Sequence, residues 1–298
     1  ATLGTSNWIL GNQLVSGFFP NKIPNPDLKW ERTGQFDIGL DLGLFNNRLR
    51  ITTDYYKKKT TDLLYSVAVP ATSGYQTMLK NIGSIENQGY ELSIESDNLT
   101  GAFSWTTAFN IAFNRNKVLE LGGEEYKEMA EGDGHLKTGS VRRLIVGEPI
   151  GVFYGYRFDG IFQNEEECKQ QTSSASPIGV GLRRYKDLNG DGKVDAANDR
   201  EILGDANPKF FGGLTNTFAY KGFELNVFLQ YSYGNKILNY NAMELENPTG
   251  GQNAYADMVN RWTPENPSNI YPKATTNRAL LVSDRFIEDG SYLKLKTL

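Results

Sequence analysis

From Phe103 to Asn114 the chain runs FSWTTAFNIAFN, twelve residues whose two parities differ sharply in character. One parity holds Phe103, Trp105, Thr107, Phe109, Ile111 and Phe113; the other holds Ser104, Thr106, Ala108, Asn110, Ala112 and Asn114. A strand turns successive side chains to opposite faces, so the first set forms an aromatic face and the second a small, polar one. Such a face pattern alone suits a soluble sandwich as well as a membrane barrel. Length separates them: globular strands average roughly 5–6 residues, whereas a tilted strand crossing a bilayer needs roughly 9–11.

The same period recurs along the chain. Phe36, Ile38, Leu40, Leu42 and Leu44 alternate with Gln35, Asp37, Gly39, Asp41 and Gly43. Asn46-Asn47 suits a tight hairpin turn, because Asn tolerates positive φ. Arg48 to Lys58 then returns with Leu49, Ile51, Thr53 and Tyr55 on one face. Tyr90, Leu92 and Ile94 alternate with Glu91, Ser93 and Glu95 ahead of the turn SDNLTG. Phe211 to Tyr220, Phe223 to Tyr233 and Tyr292 to Leu298 complete the set, with Lys221-Gly222 as a further tight turn; Trp8 to Leu14 is a weaker strand candidate. Tight turns at 46–47, 97–101 and 221–222 alternate with long connections at 59–87, 115–208 and 234–290. Charges stand in mid-strand on the polar parity, at Asp37, Asp41, Arg50, Asp54, Glu91, Glu95 and Glu224, with Arg48 at a strand start. Short turns at one end, long loops at the other and a wet inner face are the pattern of an outer-membrane barrel. The expected fold is therefore all-β, antiparallel strands of a transmembrane β-barrel.

Composition limits the remaining classes. A formal net charge of −4 gives no basis for a nucleic-acid partner. No apolar run is long enough for a membrane helix. The N-terminal residues lack the charged start and apolar core of a signal peptide. One cysteine and one histidine, Cys168 and His135, cannot build a Cys/His zinc site, and both read as loop residues.

The segment from Asp187 reads as a calcium loop. Asp187, Asn189, Asp191 and Asp195 place oxygen side chains at positions one, three, five and nine, Gly192 supplies the sharp turn, and Lys193 offers a backbone carbonyl. Asn198 stands where a bidentate Glu closes such loops, so Asp199 would supply the last carboxylate if the loop is one residue longer. An Asp/Asn/Gly turn cluster is the alternative. An ion here would stiffen a loop rather than catalyse. Asp159, Glu244, Glu246 and Asp257 show no telling spacing, and no phosphate-cradling glycine loop or nucleophile elbow occurs. The chain is read as non-enzymatic. Trp8, Tyr75, Tyr154, Tyr156, Tyr255 and Trp262 are loop aromatics that could stack on sugar rings.

Several words of the sequence are longer than periodicity requires. NPDLKWE (25–31), GLDLGLFNNRL (39–49), DYYKKKTTDLL (54–64), NIGSIENQGYEL (81–92) and GEPIGVFYGYRFDGIF (147–162) resemble the SusC/RagA family of TonB-dependent outer-membrane transporters. KDLNGDGKVD (186–195), NPKFFGGLTNTFAYKGFEL (207–225) and DGSYLKLKTL (289–298) extend the resemblance over nearly the whole chain. It implies a plugged barrel of roughly twenty-two strands in the outer membrane of a Gram-negative, Bacteroidota-type bacterium. Such a barrel imports glycans or peptides beneath a SusD-type surface lipoprotein, with energy from TonB–ExbB–ExbD. Residues 1–298 then form part of one barrel domain, incomplete at both ends, without the plug. The 115–208 connection would be an extracellular loop region carrying the Asp-rich segment 187–199, where a calcium ion would brace contacts with the lid. A different expectation stays open beside it: a secreted soluble β-domain that binds carbohydrate in a calcium-dependent way, burying the Phe103–Phe113 face against a second sheet.

Overall fold

The computed structural model of the protein describes residues 3–20, 23–75, 77–129, 140–246, 253–275 and 281–298. Its frame is one seven-stranded antiparallel sheet. The strands are β1 (Arg32–Leu44), β2 (Leu49–Thr61), β3 (Ser84–Leu99), β4 (Phe103–Glu120), β5 (Phe210–Tyr220), β6 (Phe223–Tyr233) and β7 (Tyr292–Thr297). Spatial order equals chain order, so the sheet is a meander despite the long insertions.

Register turns the alternation of single strands into a two-faced surface. Across the middle, Leu42 pairs with Ile51, then Ile94, Phe109, Leu214, Leu229 and Leu295 in one unbroken row. The adjacent row on the opposite face reads Asp41, Thr52, Ser93, Asn110, Gly213, Gln230 and Lys294. A one-residue slip between any two strands would mix the faces, so the hydrophobic pattern itself pins the register. On the apolar face aromatics cluster at two heights. Toward the long connections stand Tyr55, Tyr90, Phe113, Phe210 and Tyr233, with Phe113 and Phe210 ring centroids 5.8 Å apart and Phe210 and Tyr233 5.1 Å apart. Toward the short turns stand Phe103, Trp105, Phe218, Tyr220 and Phe223, with Trp105 stacked on Phe218 at 5.7 Å.

The short turns lie at one end. Lys221 and Gly222 have φ of 48° and 85°, the pair of positive values that a two-residue hairpin matching strand twist requires. Phe45, Asn46 and Asn47 are also left-handed, at 54°, 57° and 63°. A separate hairpin, Leu3–Leu10 with Gln13–Pro20, turns at Gly11-Asn12. This corrects the strand expected over Trp8 to Leu14: the apolar residues there flank a turn whose left-handed Gly-Asn pair breaks the run. Likewise β4 continues six residues beyond Asn114, because Ile85 to Gln88 keep pairing with Arg115 to Val118. The long insertion thus begins at residue 121.

The densest core lies in the insertions, away from the mid-strand rows. Val141, Phe153, Leu238, Ala242, Met243, Val282 and Phe286 pack into one buried cluster, and Tyr156, Tyr185 and Val194 into another. By contrast Phe36 is 59% exposed, Leu42 42% and Leu293 71% on the sheet. Among the described residues no second sheet covers the apolar face, which is what the soluble-sandwich expectation required. Among the described residues no helix is long and apolar enough to cross a membrane.

Candidate functional site

Two regions carry polar chemistry: the inner face of the sheet and the folded insertions above it. On the inner face some charges are matched by neighbouring strands. Arg50 donates to Glu95 at 3.0 Å and lies 3.6 Å from Asp97, and Thr52 donates to Asp41 at 2.6 Å. Tyr56 crosses Gly89 to donate to Asn114 Oδ1 at 2.6 Å. A side chain at 89 would collide with that ring, so the glycine is what lets it lie down on the sheet. The result is a hydrophilic wall held in place by its own hydrogen bonds.

Two of the sequence words meet above this wall. Asn81, from NIGSIENQGYEL, accepts from the Lys29 amide at 2.8 Å and donates to the carbonyls of Lys29 and Asp62 at 2.8 and 2.7 Å. Asn25 donates to Leu79 O at 2.9 Å and Glu31 accepts from the Leu64 amide at 2.9 Å. NPDLKWE thus ties the connection before β1 to the hairpin Leu64–Ala68/Thr77–Asn81.

The expected calcium loop joins the strands Arg183–Tyr185 and Arg200–Asp205. Its carboxylates face backbone amides. Asp187 accepts from Gly190 and Gly192 at 2.7 and 2.6 Å, Asn189 from Asp191 at 3.2 Å, and Asp191 from Lys193 at 2.8 Å. Asp195 accepts from Ala197 and Asn198 at 3.0 Å each and pairs with Lys193 Nζ at 3.1 Å. The Asn198 amide, then Lys193, holds the Asp195 carboxyl below its usual range. Asp199 is 0% exposed and accepts from Leu188 and Asp195, closing the loop end to end. Among the described residues no three acidic, His or Cys side chains converge on a metal-sized centre. As arranged, the oxygens of Asp187, Asn189, Asp191, Asp195 and Asp199 take backbone amides, the geometry of Asx turns.

The other candidates disperse. Tyr156 is core, and Tyr154 lies between the Arg143 and Arg200 guanidiniums at 3.8 and 5.5 Å. Trp262 donates to Gln163 at 3.0 Å, while Trp8 and Tyr255 are exposed. Asp159 pairs with Arg184 at 2.9 Å and Asp257 accepts from Tyr271 at 3.4 Å. Cys168 sits on the one-turn helix Glu165–Lys169, its thiol pushed up by burial and by Glu165 and Glu167. His135 lies outside the described residues.

Sequence reading missed a buried ionic centre where the two insertions meet. Glu246, 7% exposed, accepts from Arg285 at 2.9 Å, and its carbonyl accepts from buried Arg183 at 3.3 Å. Burial pushes the Glu246 carboxyl up despite both arginines, and burial pulls the Arg183 guanidinium down. These residues lie 39 to 102 positions apart in order, so no local spacing announces them. A second such group joins Arg143, Glu128, Arg200 and Tyr154.

A sheet with one continuous apolar face, a hydrogen-bonded polar face and paired aromatic girdles defines the class: an outer-membrane-type β-barrel wall, open in this stretch of chain. The comparisons agree. Residues 4–134 match the family described as TonB dependent receptor-like, beta-barrel. TonB-dependent receptor P3 of Formosa agariphila is 40% identical over 97% of this chain, and TonB-dependent receptor SusC of Bacteroides thetaiotaomicron is 29% identical over 92%. A solved structure of the RagAB peptide transporter superposes with a TM-score of 0.77 at 25% identity, covering 99% of this chain. The chain spans 29%, 26% and 31% of the lengths of those proteins. It belongs to the TonB-dependent receptor β-barrel family, as a stretch of a SusC-like protein. Barrels of this family are outer-membrane proteins.

Proposed function

We propose that this chain forms part of the wall and extracellular cap of an outer-membrane importer. The carrying observation is the division of faces across all seven strands. Between Phe103 and Phe113 the girdles stand ten residues apart on one strand, about 34 Å at about 3.4 Å per residue. At a tilt of about 40° this is roughly 26 Å along the membrane normal, the height of an outer-membrane apolar band. The apolar face then meets lipid, and the Asp41–Lys294 face lines the path of the cargo.

The cargo is an oligomeric nutrient, an oligosaccharide or a peptide. The likeness to a peptide transporter supports the second. Capture occurs beneath a SusD-like surface lipoprotein seated on the folded insertions, and TonB–ExbB–ExbD drives release through a plug outside this chain. The Asp187–Asp199 loop serves that face as a stiffener. Calcium bracing it is the sequence-based form of this proposal, and it needs the Asp187, Asp191 and Asp195 carboxylates to turn from their amides toward one centre.

The test is uptake of labelled peptide and oligosaccharide pools by cells making the full-length receptor, with and without TonB. The proposal expects one pool to be retained by the receptor and imported only with TonB. Import independent of TonB, or retention of neither pool, overturns it.

A further inference from the structure

Just beyond the loop-side girdle, the outward face of the sheet becomes basic. One step past Tyr55, Tyr90 and Phe113, the register places Lys57, Gln88 and Arg115 side by side; the next step places Lys59, Glu86 and Lys117. All four cations are exposed. Lys57 reaches Glu86 at 3.1 Å, and Arg115 donates through one nitrogen to the carbonyls of Asn114 and Lys209. Lys59 and Lys117 have no side-chain partner among the described residues. At the turn end the same face carries Phe103, Tyr220 and Phe223, none of them charged.

Height gives this belt its meaning. Two residues advance about 6.8 Å along a strand, or about 5 Å along the normal at a tilt of about 40°. The first basic pair therefore sits about 5 Å and the second about 10 Å beyond the girdle. Headgroups occupy a layer of roughly 5–8 Å on each side of the hydrocarbon core. Long cationic side chains lay their stems on apolar surface and carry the charge to that depth. Four cations against one carboxylate, facing outward at phosphate height and just beyond it, form a complementary surface for an anion fixed in that leaflet.

We infer that Lys57, Lys59, Arg115 and Lys117 bind the phosphate groups of an anionic lipid headgroup in the loop-side leaflet. The inference rests on the membrane placement proposed above. Bound lipid would seal β2, β3 and β4 against the membrane and add stability that depends on ionic strength.

The test compares the full-length receptor with its Lys59→Gln/Arg115→Gln/Lys117→Gln form, both first shown to insert into membranes. Binding of diphosphoryl lipid A in detergent is measured against its dephosphorylated form and against inorganic phosphate. Each surface cation removed should weaken binding roughly fivefold, on the order of 100-fold for the triple variant. Dephosphorylated lipid A should bind weakly to both proteins, and inorganic phosphate should not compete at equal concentration. Equal binding by both proteins, equal binding of the dephosphorylated lipid, or full competition by inorganic phosphate overturns the inference. If the parent fails to insert, the membrane reading itself is lost instead. Should the triple variant misfold, Glu86→Gln is the second probe: it removes the competing carboxylate and should tighten binding roughly fivefold, and unchanged affinity overturns the inference.

Discussion

Glu246→Ala should loosen the two long insertions without touching the barrel wall. Glu246 sits between Arg285, 2.9 Å from its carboxylate, and buried Arg183, which reaches its carbonyl. Among the described residues Arg183 Nε, Arg285 Nε and Glu246 Oε2 are buried without a hydrogen-bond partner. Removing the carboxylate strips Arg285 of its ion pair and leaves buried Arg183 only the main-chain carbonyl, at a cost of about 3–5 kcal/mol. If that cost falls on local opening, amide exchange of Arg183–Tyr185, Lys236–Leu238 and Tyr240–Leu245 should accelerate by roughly 10²–10³-fold or more in the full-length receptor. Exchange in the barrel rows around Phe109 should not change. The pH dependence has a definite sign. Because burial raises the folded-state pKa of Glu246 above its ordinary value, the folded form holds the proton more tightly than the unfolded one. This site's contribution is therefore fully present below the ordinary glutamate range and declines as pH rises through the raised value. Glu246→Gln should remove that component, so the wild-type-minus-variant difference should slope in this direction. Unchanged exchange in Glu246→Ala, or a difference of opposite slope, would show that the centre is not coupled as described.

Two further substitutions probe separate parts of the structure. Gly89→Val drives a side chain into the Tyr56 ring and breaks its bond to Asn114; overpacking of this kind should cost about 1–3 kcal/mol, read as a lower unfolding midpoint of the detergent-purified barrel. Asp199→Ala removes the acceptor of the Leu188 and Asp195 amides inside a buried site, at about 1–3 kcal/mol for the orphaned donors. It should open residues 187–199 to protease. Calcium should not reverse that opening, nor chelation mimic it in the parent, if amides rather than an ion hold the loop; protection by calcium would establish the cation.

The barrel wall was legible because its information is local. Period-two alternation names the face of every residue, as in Gln35–Leu44 and Phe223–Tyr233, and the turn pairs Asn46-Asn47 and Lys221-Gly222 fix where strands reverse. Strand ends were less legible: residues 115–120 carry charges that break the apolar pattern, yet pairing with Ser84–Gln88 continues them as strand. Their outward charges belong to the basic belt, invisible until register placed Lys57 and Arg115 on either side of Gln88, and Lys59 and Lys117 on either side of Glu86. Trp8–Leu14 misled because apolar content outweighed the Gly11-Asn12 turn signal. The candidate calcium loop was half legible. Asp and Asn at alternate positions serve ion ligation and Asx turns equally. Arg183 belongs to one insertion and Glu246 and Arg285 to the other, and nothing in local spacing joins them.

Facing is the central claim, and a pair of adjacent lysines tests it most directly. Phe109 lies at mid-height in the apolar row between Ile94 and Leu214, and its neighbour Asn110 lies on the opposite face between Ser93 and Gly213. A lysine on the lipid face at mid-membrane costs about 2–4 kcal/mol, whereas one on the inner face is tolerated. In the full-length receptor, Phe109→Lys should block insertion into the outer membrane while Asn110→Lys inserts normally. Equal behaviour of the two variants, with the receptor soluble in the absence of detergent, would contradict a membrane-spanning wall.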